Sequence, residues 1–347
     1  MTARRDEGQE PAQFHTFGRA SAAGLEGPPL VEPMTPTCED AQTRHGLPER
    51  REGEPGSRQL GGVEGSGQAG HPEIVGRRAW IRLTANRCDQ PAGIVRLCTM
   101  TDLTALHIPG RPLVLVNVWD AGSARAVAAT GVPALATASW AVAAAHGYPD
   151  GEQLPRETLL ATLREITAAV EVPVTVDLEA GYGASAEEVA ETVTAAIEAG
   201  AAGCNLEDGV DGTRLRPVED MVDRLRAARA AAEAAGVAFH LNARTDVWLL
   251  PADAVGAGDT DEALRRLSAY ARAGADSAFV PGLGLGVALD RVVAQQPLPV
   301  NVMRGTPDDP PTSALAAAGV ARISHGPGAW LHAMASLTAF ADAAVQG

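Results

Sequence analysis

Beyond residue 100 the chain alternates two patterns of apolar residues. Short runs rich in Val, Leu, Ile and Ala predict strands over 113–118, 134–139, 174–178, 203–208, 239–244, 277–281, 298–303 and 321–325. Between them apolar residues recur at helical spacing, with recognisable ends. Ser185-Ala186-Glu187-Glu188 is a capping box, Val189, Val193 and Ile197 share the stripe behind it, and Gly200 ends the helix. Pro217 opens the next helix, with Met221, Val222 and Leu225 inward. Thr260 is expected to cap another, with Leu264 and Leu267 inward and Gly274 at its end, and a last helix covers 328–345. Eight such strand–helix units in roughly 250 residues predict an α/β fold, a (β/α)8 TIM barrel. A doubly wound open sheet is disfavoured. No strand runs into a G-x-G-x-x-G turn, and polar residues recur at many strand ends rather than at one switch point.

Residues 1–99 show no such period. Gly, Pro, Arg and Glu are scattered through them, as in Gly61-Gly62-Val63-Glu64-Gly65-Ser66-Gly67. The expectation there is a disordered tail or a mis-called leader ahead of a natural start at Met100, with the barrel over 100–347. Net charge is −15, and the region beyond residue 99 holds 16 arginines against 30 acids. That balance argues against a nucleic-acid partner. Every basic residue is arginine, so no lysine Schiff base can form and carbonyl chemistry must use a metal or an acid–base route. No apolar run is long enough to span a membrane, and no apolar segment near the start reads as a secretion signal. The four cysteines lack metal spacing, which suits a reducing cytoplasm.

Chemistry gathers at the strand ends. Val174, Thr175 and Val176 form a β-branched run after Pro173, and alternation sends Asp177 and Glu179 to one face and Leu178 to the other. Two carboxylates side by side persist best with a cation or proton between them. Asn205 and Glu207 share a face of the next strand, Asn242 and Arg244 are in phase on the fifth, and the seventh supplies Asn301. Ser139 ends the second strand, and its loop carries Gly147-Tyr148-Pro149-Asp150. Oxygen-only donors favour Mg²⁺, with Mn²⁺ as the substitute, over zinc. The Arg244 guanidinium is a planar fork suited to a substrate carboxylate. A single acid at a strand end is ordinarily a solvated loop residue, but four predicted at one mouth reverse those odds. Asn205, Asn242 and His240 have a blander reading, mutual satisfaction inside the barrel, and Cys204 reads as an inert core thiol facing the helices. His146 and His325 stay open between substrate contact and surface, and Arg214 and Arg216 read as loop charges.

These motifs resemble the isocitrate lyase / phosphoenolpyruvate mutase superfamily over roughly residues 103–345. The likeness rests on Leu115-Val116-Asn117-Val118-Trp119-Asp120-Ala121-Gly122-Ser123-Ala124, Gly147-Tyr148-Pro149-Asp150, Asp177-Leu178-Glu179-Ala180-Gly181-Tyr182-Gly183, Asn205-Leu206-Glu207-Asp208-Gly209 and Asn242-Ala243-Arg244-Thr245-Asp246. The resemblance implies a Mg²⁺ at Asp177, with Glu179, Glu207 and Asp150 binding its waters or completing its shell. It implies that Ser139, Trp140 and Ala141 hold the substrate carboxylate through their backbone, and that Arg244 holds the oxyanion side. It also implies a dimer or tetramer. Two departures follow. The loop Gly209-Val210-Asp211-Gly212-Thr213-Arg214-Leu215-Arg216 lacks the Lys-x-Cys-Gly-His of the family's lyases, which disfavours isocitrate or methylisocitrate cleavage by the usual route. Glu179 stands where Asp is more common, and Gly282 stands where the lyases place a glutamate.

The expected function is therefore a Mg²⁺-dependent lyase-type enzyme acting on a small 2-oxo acid through a pyruvate enolate, by C–C or P–C bond chemistry such as decarboxylation of an oxaloacetate-like acid. Arg244 and Glu207 are its candidate catalytic residues. Ser139, Trp140, Ala141, Arg244 and Asn301 are the candidate substrate contacts, and Asp177, Glu179, Glu207 and Asp150 the candidate metal residues. The alternatives are a barrel that binds a dicarboxylate as a sensor, a phosphonate or PEP mutase-type enzyme, and a metal-dependent aldolase. A homo-oligomer is expected, with a small carboxylate as partner and no membrane.

Overall fold

The computed structural model describes residues 102–346. The expected leader over 1–99 lies outside the described residues. After a short 3-10 turn (Thr104–Leu106) come β1 (Leu113–Leu115), β2 (Asn117–Val118), α1 (Ala121–Ala128), β3 (Leu135–Thr137), α2 (Ser139–Ala145), α3 (Arg156–Ala169), β4 (Val174–Asp177) and α4 (Ala186–Glu198). Next are β5 (Gly203–Glu207), β6 (Gly209–Val210), β7 (Arg214–Leu215), α5 (Val218–Ala235), β8 (His240–Arg244) and α6 (Thr260–Arg272). The chain ends with β9 (Ser277–Phe279), α7 (Val287–Gln295), β10 (Val300–Met303), α8 (Thr312–Ala317), β11 (Arg322–Ser324) and α9 (Gly328–Gln346). All eight expected strands are present, seven of them shortened by one to three residues and the first split at Val116 into β1 and β2.

The main sheet runs β1-β11-β10-β9-β8-β5-β4-β3-β2, and all its pairings are parallel. β1 and β2 are successive parts of one strand, so their pairing with β11 on one side and β3 on the other brings the sheet round into a ring. Helices cover its outside, which is why the strands read as nearly continuous apolar runs. Outward residues such as Val176, Leu178, Cys204, Leu206 and Leu241 pack with Val189, Val193, Met221, Leu225 and Leu267 from the helices. Each such leucine or valine contributes about 1.5–3 kcal/mol by leaving water. Cys204 sits in this layer as a free thiol, and burial pushes its pKa up.

The inside of the ring is more polar. His240 bonds Thr104 Oγ1 at 3.0 Å and Ser277 Oγ at 2.8 Å. Ser277 Oγ donates to Asn242 Oδ1 at 2.6 Å, and Asn242 Nδ2 donates to Asn205 Oδ1 at 2.8 Å and to Asn301 Oδ1 at 3.0 Å. Helix ends follow the expected chemistry, with one correction. The capping box at Ser185 and Glu188 is formed, but α6 is capped by Asp259, whose carboxylate accepts the Asp261 and Glu262 N–H groups, and Thr260 is the first helical residue. Among the described residues no helix is long and apolar enough to cross a membrane.

Candidate active site

The polar residues expected at strand ends meet at the C-terminal mouth of the ring, where βα loops of such barrels build their sites. Parallel register sets Asp177 opposite Asn205, and Glu207 opposite Arg244. Ser139, Trp140, Asp150, Asp177, Asn205 and Arg244 line one cavity of about 160 Å³, closed on its other sides by Asn117, Phe279, Met303 and Ser324 among others. Trp330 of α9 packs edge-on against Trp140, with ring centroids 5.2 Å apart.

Asp177 is the pivot. Its backbone N–H donates to Thr137 Oγ1 at 2.9 Å, and its Oδ2 accepts the Ser139 N–H at 3.4 Å. Its Oδ1 is buried without a hydrogen-bond partner among the described residues. Such an atom costs about 1–3 kcal/mol when nothing satisfies it. Asp150 lies beside it on the loop between α2 and α3. Burial raises the Asp150 pKa, and the Asp177 charge raises it further.

Glu179 has turned to another task. Its Oε2 accepts the Gly151 and Glu152 N–H groups at 2.8 and 2.6 Å, and its Oε1 accepts the Tyr182 hydroxyl at 2.8 Å. Glu152 Oε1 in turn accepts the Tyr182 N–H at 2.6 Å. This clamp ties the Asp150 loop to the loop after β4. Its three members Glu152, Glu179 and Tyr182 all have left-handed φ, between 52° and 56°. Non-glycine residues pay for that conformation and hold it where surrounding bonds over-determine it. Burial first, then Asp150, pushes the Glu179 pKa up to about 7.

Arg244 is held by two acids. Asp246 takes Nε at 2.6 Å and Nη2 at 3.1 Å in a fork, and Glu207 Oε2 lies 2.7 Å from Nη1 as an ion pair without hydrogen-bond geometry. Burial works against the guanidinium charge, but Asp246 and Glu207 outweigh it and raise the pKa. For Glu207 burial dominates, and its pKa stands well above the usual range despite Arg244. Asp246 was not singled out from the sequence, although it lies two residues beyond Arg244. Gly209 allows the arrangement, since a Cβ there would run into the Asp246 carboxylate.

Several expected site residues sit elsewhere than expected. Asn301 is fully buried and is not among the residues lining the cavity: its amide bonds Asn242, Val302 O, Arg322 O and Ser324, the last of which does line it. The period-2 pattern puts it inside the ring correctly but cannot say at what depth. Ala141 is buried in α2 and does not line the cavity, whereas Ser139 and Trp140 do. Glu179 and Glu207 are also off its wall, one turned to the Asp150 loop and the other to Arg244. His325 bonds Asn117 Oδ1 through its N–H and Leu115 O through Nδ1, and His146 bonds Thr162. The segment after β5 folds as the antiparallel β6–β7 hairpin, with Gly209 opposite Leu215 and Val210 opposite Arg214.

Among the described residues no three His, Cys, Asp or Glu side chains form a closed metal cage. Mg²⁺ does not need one, because it binds through one or two carboxylates and keeps several waters. The orphaned Asp177 Oδ1, with Asp150 beside it and no nitrogen or sulfur ligand near, fits such an ion.

A parallel ring with its acids and one pinned arginine at the C-terminal mouth defines the class, a (β/α)8-barrel enzyme of the lyase and mutase kind. The profile of the phosphoenolpyruvate phosphomutase family matches residues 103–345, and the chain belongs to that family. It is similar to a crystal structure of a putative phosphonomutase from Burkholderia cenocepacia J2315, with 50% identity, a TM-score of 0.66, and coverage of 70% of this chain and 97% of the other. It is 34% identical to 2-methylisocitrate lyase of Escherichia coli K12 over 197 residues, 50% of this chain and 62% of that one. It is 31% identical to oxaloacetate decarboxylase of Bradyrhizobium diazoefficiens over 204 residues, 56% of this chain and 66% of that one.

Proposed function

We propose that this protein is a Mg²⁺-dependent lyase that cleaves the bond one carbon beyond the keto carbon of a small 2-oxo acid, leaving a pyruvate-type enolate, with decarboxylation of an oxaloacetate-like acid as the leading reaction. The observation that carries it is the buried, unpartnered Oδ1 of Asp177, a residue that lines the same small cavity as Asp150 and Arg244. Asp177 holds the ion and Asp150 positions its waters. Bound there, the ion supplies Lewis acidity toward the oxygens of a 2-oxo acid. Arg244, fixed by the Asp246 fork, presents a positive charge that needs no reorganisation as negative charge develops. A ligand carboxylate competes with Glu207 for its Nη1 edge. The Ser139–Trp140 backbone at the start of α2 offers N–H donors to a second carboxylate. Glu179 keeps the Asp150 loop in place through the clamp.

The hairpin favours decarboxylation over cleavage of a 2-hydroxy acid. The latter needs a base to take the hydroxyl proton, and β6–β7 carries no Cys, His or Lys. Loss of CO₂ requires no proton transfer at the breaking bond, and solvent can protonate the product carbon afterwards. The exposed apolar side chains of α9, Leu337 and Phe340, support a homo-oligomer, and the single described cysteine, free and buried, suits a cytoplasmic protein. A panel of 2-oxo acids and phosphonates assayed for pyruvate release, with Mg²⁺ and with EDTA, tests the reading. Mg²⁺-dependent release from oxaloacetate is expected. Oxalate binding without turnover of any panel member would establish a sensor instead, and release from phosphonopyruvate alone would establish P–C chemistry.

A further inference from the structure

Beneath the cavity lies a buried arginine. Arg322, at the start of β11, has no measurable exposure. Its Nε donates to Ser324 Oγ at 3.2 Å and its Nη2 to Asn205 Oδ1 at 3.2 Å, while Nη1 has no hydrogen-bond partner among the described residues. No carboxylate pairs with it among the described residues. A guanidinium has donors and no acceptor, so the Asn205 atom that faces it must be the carbonyl oxygen. Asn242 confirms that orientation from the other side. Ser277 donates to Asn242 Oδ1, which leaves Asn242 Nδ2 to donate to the same Asn205 oxygen. The carbonyl end of Asn205 is thus taken twice, and its Nδ2 has no partner among the described residues. Asn205 lines the cavity and is paired in register with Asp177.

We infer that Asn205 is a substrate-binding residue, its Nδ2 donating to an oxygen of the bound 2-oxo acid beside Asp177, and that Arg322 is the positioning residue fixing which end of the amide faces the ligand. The inference rests on the 2-oxo acid reading of the site and adds a donor to it. It also gives a reason for a buried arginine that feels Asp177 only at a distance and makes no direct ion pair among the described residues, since a neutral residue there would let the amide turn its acceptor toward an anionic ligand.

The test uses oxalate, a planar dianion shaped like the enolate of pyruvate, titrated calorimetrically with Mg²⁺ into the full chain. Asn205→Asp keeps an acceptor for Arg322 and Asn242 but removes the donor. It should melt at or above the wild-type temperature in the absence of ligand and bind oxalate at least tenfold more weakly. Salt screens a buried, contacting pair of charges only weakly, so a neutral variant is needed to separate the missing donor from added repulsion. Asn205→Leu, without added charge, should weaken oxalate to a similar degree. Arg322→Met should weaken oxalate when Asn205 is present and add nothing in the Asn205→Asp background, whereas a merely structural arginine would weaken both. Wild-type affinity in Asn205→Asp or in Asn205→Leu would each overturn the inference while leaving the 2-oxo acid reading intact. Wild-type protein that fails to bind oxalate would remove both.

Discussion

Glu207 and Asp208 are adjacent in sequence and live in opposite worlds. Asp208 points out of the ring into the helix layer, where its Oδ2 accepts Thr245 Oγ1 at 2.8 Å, Tyr270 hydroxyl at 2.7 Å and Arg266 Nη1 at 3.2 Å, and its Oδ1 accepts the Asp246 N–H at 2.9 Å. Both oxygens are satisfied by a rigid shell. Glu207 points to the mouth, where it shares Arg244 with Asp246, and its neighbour Asp177 keeps an oxygen with no donor. The same side-chain chemistry is saturated on one side of the strand and left short on the other. A buried acid with a full shell holds the fold together, and a buried acid left wanting is held for a ligand.

Four substitutions probe that contrast. The largest effect is expected for Asp177→Asn. It should cost about a thousandfold in kcat/KM, several kcal/mol of lost electrostatic stabilisation, yet change the melting temperature in EDTA little, because Oδ1 has no hydrogen bond to lose among the described residues. A melting temperature that falls with activity would show that Asp177 is structural, like Asp208. Asp208→Asn should do the reverse and destabilise the fold by about 3 kcal/mol in urea titration, since four buried donors lose a charged acceptor and Arg266 keeps only Glu262 as counter-charge. A loss below about 0.5 kcal/mol would break the contrast from that side. Gly209→Ala, which drives a methyl into Asp246 and loosens Arg244, should lower kcat/KM about tenfold with a small change in stability. Its kinetic effect should vanish in an Asp246→Ala background.

The smallest effect concerns pH. Glu179 is pushed up to about 7 in the folded protein from 4.5, so the folded state binds this proton more tightly than the unfolded chain. Its contribution to stability is therefore greatest at low pH and falls as pH rises from about 4.5 to 7. Buried His107, lowered to about 4 by burial and then by Arg322, acts in the opposite direction between about 4 and 6.5. Comparison of wild type with Glu179→Gln in EDTA cancels the histidine. The variant should gain about 1 kcal/mol on wild type between pH 5 and 6. Parallel pH curves for the two proteins would mean that Glu179 is ionised throughout.

Much of this was written in the chain. Strand order followed from eight β-branched or apolar runs separated by capped helices, because local periodicity and the right-handed βαβ connection leave few ways to close such a chain. Alternation put Asp177, Asn205, Glu207 and Arg244 on inner faces, and the absence of lysine by itself excludes a lysine Schiff base. Depth and partnership were not legible there. Asn301 and Asn205 carry the same side chain on the same face of their strands, but one lies off the cavity wall and the other lines it, since the stagger of strands around the ring sets height. Glu179 leaves its partner Asp177 because the loop after β4 turns through a left-handed residue, a step that period-2 alternation does not anticipate. Which end of Asn205 meets a ligand is decided by Arg322, 117 positions away. Periodicity acts through neighbours along the chain and determines which way a side chain points. Hydrogen-bond saturation depends on atoms brought together from distant segments, so tertiary packing alone decided which acids are satisfied and which remain open for chemistry.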